Sequence, residues 1–146
     1  MALQSLSYGL VTGRISALAL DPSDPTGNTL YAGSTGGGVW RSQNANTSNT
    51  ANISFTPLTD DLLAISGAAD ASISIGALTV QPGGTGVILA GTGDPNDALD
   101  SYYGAGILRS ADGGTTWSLI PGTSDGIYFF VGEVRTTSDV SIKNQR

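Results

Sequence analysis

Three carboxylates, one amide and two tyrosines crowd into a single short stretch: Asp94, Asn96, Asp97, Asp100, Tyr102 and Tyr103. Oxygen ligands at Asp94, Asn96 and Asp97 would suit a calcium ion, and carboxylates beside exposed aromatic rings would suit a sugar. The spacing departs from an EF-hand loop, because no Gly and no bidentate Glu follow at the required places. Glycoside hydrolysis needs two carboxylates about 5–10 Å apart across the scissile bond. Asp94, Asp97 or Asp100 could supply one, but no second convergent carboxylate stands out elsewhere. The stretch therefore reads as a binding loop, and no residue is assigned a catalytic role.

Other chemistries are excluded by residue type. The chain has neither Cys nor His, so disulfides, thiolate metal sites, imidazole ligands and His-based triads are ruled out. Gly33 to Gly38 is glycine-rich, but it lacks the Gly-Lys-Ser/Thr ending of a phosphate loop and leads into a strand pattern. Twelve acidic residues against six basic ones give a net charge of −6. Arg14, Arg41, Arg109 and Arg135 are dispersed, so the basic stripe needed for a nucleic-acid partner is missing. No run approaches the ~18 apolar residues of a membrane helix. Met1 to Gln4 lacks the basic region of a signal peptide. Low Lys with abundant Ser, Thr and Gly nevertheless suits a secreted or extracytoplasmic protein.

The elements that must position the acidic loop are short strands. Charged residues are only 12% of the chain, with 21 Gly and 6 Pro, a composition of frequent turns and few helices. Four blocks recur in one order, about 60 residues apart. Ile15 to Pro22 matches Ile75 to Pro82, and Thr29 to Ser34 matches Ile88 to Thr92. Gly38 to Ser42 matches Gly106 to Ser110, and Phe55 to Leu58 matches Trp117 to Ile120. Each block is rich in Val, Ile, Leu and aromatics and is bounded by turn residues, which is a strand signature. Four consecutive strands per repeat predict a four-stranded antiparallel propeller blade.

This all-β reading divides the chain into a lead-in (1–13), blade one (14–58), a connector (59–72), blade two (73–120) and a last segment (121–146). Leu62, Leu63 and Ile65 in the connector suggest a short helical turn. In the last segment, Val131 to Arg135 resembles the first strand of a third blade, but Ser141 to Arg146 matches nothing upstream. That segment is either the start of a further blade in a longer chain, the favoured reading, or a diverged end.

Ser110, Asp112, Gly114, Thr116 and Trp117 complete the pattern S-x-D-x-G-x-T-W. Its residues suit a tight hairpin: Gly accepts φ > 0, and the carboxylate can accept from backbone N–H groups. Ser42-Gln43-Asn44 is a worn copy, separated from Phe55 by an insertion. On this motif, together with Gly13 to Pro25 (G-R-I-x-A-L-A-x-D-P-x-x-P) and Leu30 to Gly33, the chain resembles the Asp-box, or BNR, propellers. Their relatives include sialidases, sortilin-like receptors and family 74 xyloglucanases. The resemblance spans roughly residues 13–120, most of the chain.

The resemblance implies that the Ser110–Trp117 turn is structural and faces away from the ligand side. It also implies that Trp117 packs between blades, and that loops joining second and third strands face the ligand. The arginine triad and Tyr/Glu pair of a sialidase are not matched, nor is a catalytic Asp at the first strand. The expected function is a non-catalytic module that binds or scaffolds carbohydrate or protein. The alternative is a piece of a larger propeller glycoside hydrolase whose catalytic residues lie mostly elsewhere. No cofactor is expected beyond a conceivable calcium ion. Two blades leave apolar faces and strand edges open, so the partners expected are further copies of the chain, for example three giving six blades, or further blades of a parent protein. A compact β-sandwich is the structural alternative.

Overall fold

The computed structural model describes residues 13–59, 65–66, 74–94 and 104–123. The chain is all-β, in two antiparallel meanders that follow the sequence repeat. The first blade runs β1 (Ile15–Leu20), β2 (Leu30–Ser34), β3 (Gly38–Ser42) and β4 (Thr56–Pro57), hydrogen-bonded in that order. A short 3-10 turn, Thr50–Asn52, interrupts the β3–β4 connection. The second blade contains β6 (Ile75–Val80), β7 (Ile88–Thr92), β8 (Ile107–Ser110) and β9 (Trp117–Leu119). Among the described residues no helix is long and apolar enough to cross a membrane. The region expected to open a third blade, Val131 to Arg135, lies outside the described residues.

The strands end where the sequence withdraws backbone donors. β1 stops before Asp21-Pro22, where proline lacks an N–H and fixes φ. Asp21 Oδ1 then accepts from the Ser23 amide at 2.9 Å, and Asp24 Oδ1 from the Thr26 amide at 2.9 Å. The polar side chains thus close the turn that the ladder abandons.

The connector differs from the sequence expectation. Ile65 is not in a helical turn: Ile65–Ser66 forms β5, which pairs in parallel with Trp117 and Ser118 on the outer edge of the second blade. An open strand edge offers unpaired N–H and C=O groups, and β5 takes part of that edge up. Leu62 and Leu63 lie outside the described residues.

The two blades repeat one another hydrogen bond by hydrogen bond. Both first strands carry the same irregularity, between Ile15 and Ala17 and between Ile75 and Ala77. The Asp21 amide donates to Thr29 O as Gln81 donates to Val87 O, and Ala45 donates to Asn28 O as Gly113 donates to Gly86 O. Thr35 donates to Arg14 O as Gly93 donates to Ser74 O. A shared register down to single turn bonds means that the repeat specifies one supersecondary unit used twice.

The units pack face to face, using unlike faces. Blade one contributes Ala19, Tyr31, Val39 and Leu58; blade two contributes Ile75, Leu78, Val80, Ile88, Ala90, Leu108, Trp117 and Leu119. Burying each large aliphatic side chain of this set is worth about 1.5–3 kcal/mol, so the seam between blades is the main core. Gly33 is one of its close-approach points: a Cβ there would stand 2.6 Å from Ile75 Cγ2. A sandwich with equivalent inner faces would not reuse the repeat in this way.

Candidate functional site

In a four-stranded meander the second-to-third connections emerge at one end and the other two at the opposite end. The Thr35–Gly37 turn and the 93–106 loop therefore share an end, and Arg14 joins them there. Of the sequence-identified site residues, Asp94 is described, whereas Asn96, Asp97, Asp100, Tyr102 and Tyr103 lie outside the described residues. The calcium reading rests mostly on those. Among the described residues no three of His, Cys, Asp or Glu converge on one point.

Asp94 is 1% exposed and forms an ion pair with Arg14, whose side chain is half exposed. Arg14 Nε also donates to Thr35 Oγ1 at 3.3 Å. A desolvated carboxylate requires such a partner. Here the partner comes from the other blade, so the pair ties the blades together at the mouth of the loop. The hydroxyl of Ser16 adds a second tie by donating to Ile75 O.

The loop is clamped where it leaves and re-enters the sheet. Thr92 Oγ1 donates to Gly106 O at 2.7 Å and accepts from the amides of Ala105 at 2.7 Å and Gly106 at 2.9 Å. On the outgoing side the Gly93 amide donates to Ser74 O at 2.8 Å. Both stems are thereby fixed, which is how a rigid scaffold presents a variable loop. A lone Thr at a strand end, such as Thr92, carries no sequence signal of the bonds it collects.

At the far end, the Ser110–Trp117 turn uses up its own polar groups. Ser110 Oγ donates to Asp112 Oδ1 at 2.8 Å and accepts from the Gly114 amide at 2.8 Å. Asp112 accepts from the Thr116 amide at 2.9 Å and from the Thr116 hydroxyl at 2.7 Å. These bonds, led by the Thr116 amide, hold the Asp112 carboxyl down at about 2. Gly113 and Gly114 supply the left-handed backbone, at φ 70° and 92°. Trp117, 3% exposed, donates its indole N–H to Gly114 O at 3.0 Å and packs beside Leu58 in the seam.

Blade one caps this turn from across the seam. Arg41 Nη1 donates to Gly113 O at 3.0 Å, and the Tyr31 hydroxyl donates to the same carbonyl at 3.4 Å. Burial, reinforced by Asp21, pushes the Tyr31 phenol up from its ordinary value. Arg41 is thus a strand residue that also reaches the neighbouring blade.

The worn copy makes the same turn by other means. Ser42 Oγ donates to Asn44 Oδ1 at 3.0 Å, and Asn44 Oδ1 accepts from the Ser54 amide at 3.1 Å. Asn44 Nδ2 adds a bond to Asn52 O at 2.9 Å, which secures the inserted residues. Ser54 therefore stands in the place of Thr116, a correspondence hidden in the sequence by the insertion.

A second unanticipated pair closes both blades. Thr59 Oγ1 accepts from the Val39 amide at 2.8 Å, and Thr123 Oγ1 accepts from the Ile107 amide at 3.1 Å. Thr59 follows Leu58 directly, whereas Thr123 trails Ile120 by a Pro-Gly turn. Fixed-offset matching therefore misses them. No protein-family model matches the chain, and no curated protein matches it.

Proposed function

We propose that the chain is part of an Asp-box propeller and serves as a non-catalytic module that binds or scaffolds a carbohydrate or protein ligand. The observation that supports this most is the contrast between the two ends. At one end Asp112, the most motif-like carboxylate, is committed to its own turn by Ser110 and Thr116. At the other, the 93–106 loop has both stems clamped by Thr92, Ser74 and the Arg14–Asp94 pair. Clamped stems suit a loop that meets a ligand, because the ordering entropy of the stems is spent before binding.

The test is a glycan array carrying β-glucans and sialosides, run beside pull-down of soluble protein ligands, using the purified chain. Binding should fall about tenfold or more, near 1.4 kcal/mol, in Tyr102→Ala and Tyr103→Ala. It should be unchanged in Thr85→Ala, at the opposite end. Retention of nothing by the folded chain, or binding indifferent to both tyrosines, would overturn the proposal.

A further inference from the structure

The connection between the third and fourth strands is where the two blades differ most. Blade two turns from β8 to β9 through residues 111–116, whereas blade one spends residues 43–55 between β3 and β4. Two Asn-x-Ser triplets stand in that longer connection, Asn46-Thr47-Ser48 and Asn52-Ile53-Ser54, neither with proline at its centre. Such a triplet is the acceptor pattern for an N-linked glycan, and it has to lie on a surface loop. The two triplets are equivalent as sequence and unlike in structure.

Asn52 and Ser54 are both exposed. The backbone of Asn52 is fixed: its amide donates to Asn49 O at 3.0 Å, and its carbonyl accepts from Asn44 Nδ2 at 2.9 Å. Among the described residues no hydrogen bond engages its side-chain amide. Ser54 is held through its backbone, which donates to Asn44 Oδ1 at 3.1 Å, and its hydroxyl makes only a long contact with the same oxygen, at 3.5 Å. Asn46 is already in use. Its Nδ2 donates to Thr26 O at 2.8 Å, and its backbone amide donates to Asn28 Oδ1 at 3.3 Å. These bonds tie the long connection to the turn after β1, and a sugar on Asn46 Nδ2 would compete with the first of them.

We infer that Asn52 is an acceptor for an N-linked glycan and that Asn46 is not. The inference rests on the reading of the chain as an exported protein, because the donor, a lipid-pyrophosphate-linked oligosaccharide, and its transferase act outside the cytosol. Asn52 Nδ2 attacks C1 of the first sugar. The N–C1 bond forms, the C1–O bond breaks with its electron pair leaving on the lipid pyrophosphate, and one amide proton passes to a base of the transferase. The glycan then stands at the end of the blade opposite the 93–106 loop, so that loop stays open to a ligand.

The experiment passes the full chain, behind a cleavable signal sequence, through the secretory pathway of a cultured eukaryotic cell. Intact mass before and after treatment with a peptide-N-glycosidase reads the glycan, and circular dichroism verifies the fold. The wild type should carry a single glycan, lost in Asn52→Gln and in Ser54→Ala and kept in Ser54→Thr. Ser48→Ala cancels the Asn46 triplet without touching the bonds of Asn46, and it should leave the glycan in place. Should Asn52→Gln lose its fold, Ser54→Ala carries the test, since the Ser54 backbone amide and its bond to Asn44 remain. A chain that keeps its signal sequence would contradict the reading of export, and the inference with it. A processed chain without a glycan would overturn the inference alone, as would a glycan that survives Ser54→Ala or a second one that Ser48→Ala removes.

Discussion

Single residues decide how the turns respond to acid. The Asp112 carboxyl, held at about 2 by Thr116 and Ser110, titrates near 3.9 in an unfolded chain. Because the folded value is the lower one, its contribution to stability is fully present above about pH 4 and is lost as the pH falls toward 2. Asp24, held below the ordinary carboxylate range by Thr26 and Thr29, acts in the same direction. Thermal unfolding followed from pH 5 to pH 2 should therefore show a falling acid limb, and Asp112→Asn should make that limb shallower. The same variant should stay folded at neutral pH, because Asn44 already closes the equivalent turn in blade one. An acid limb identical in the variant would count against this role. The turn was legible in sequence because its Gly, Asp and Ser each have a local reason to be there. The Arg14–Asp94 pair was not, because its partners are joined only by the packing of one blade on the other.

At the level of the strands, the repeat carried most of the information. β1 to β4 and β6 to β9 fall on the four matched blocks, since alternating apolar residues between Gly, Pro and Asp turns admit little else. β5 was not legible: Ile65–Ser66 becomes a strand only because the edge of β9 is there to receive it. The threonine clamps were hidden by unequal spacing. Thr59 is buried, and its hydroxyl is the acceptor for the Val39 amide. Thr59→Val leaves that amide without its acceptor, at a cost of about 1–3 kcal/mol. Denaturant unfolding should show a lowered midpoint with an unchanged slope. Thr123→Val, in the less buried counterpart, should cost less. Equal or negligible losses in both would argue against the clamp.

For the whole molecule, the central claim is that two like blades pack through unlike faces, so that the repeat builds one core. The sequence repeat is silent on which face meets which, because strand periodicity marks two faces without pairing them. The contact of Gly33 with Ile75 decides it. Gly33 has no positive φ, so an alanine there is free of backbone strain and can lose stability only through its new methyl, 2.6 Å from Ile75 Cγ2. The most direct test is a double-mutant cycle of Gly33→Ala and Ile75→Ala, measured by denaturant unfolding at one protein concentration. Gly33→Ala should cost about 1–3 kcal/mol in the wild type and less, by more than about 0.5 kcal/mol, once Ile75 is alanine, whose remaining Cβ still stands 3.1 Å from the new methyl. Costs that add within about 0.5 kcal/mol would contradict the packing of β2 on β6, and with it the two-blade core.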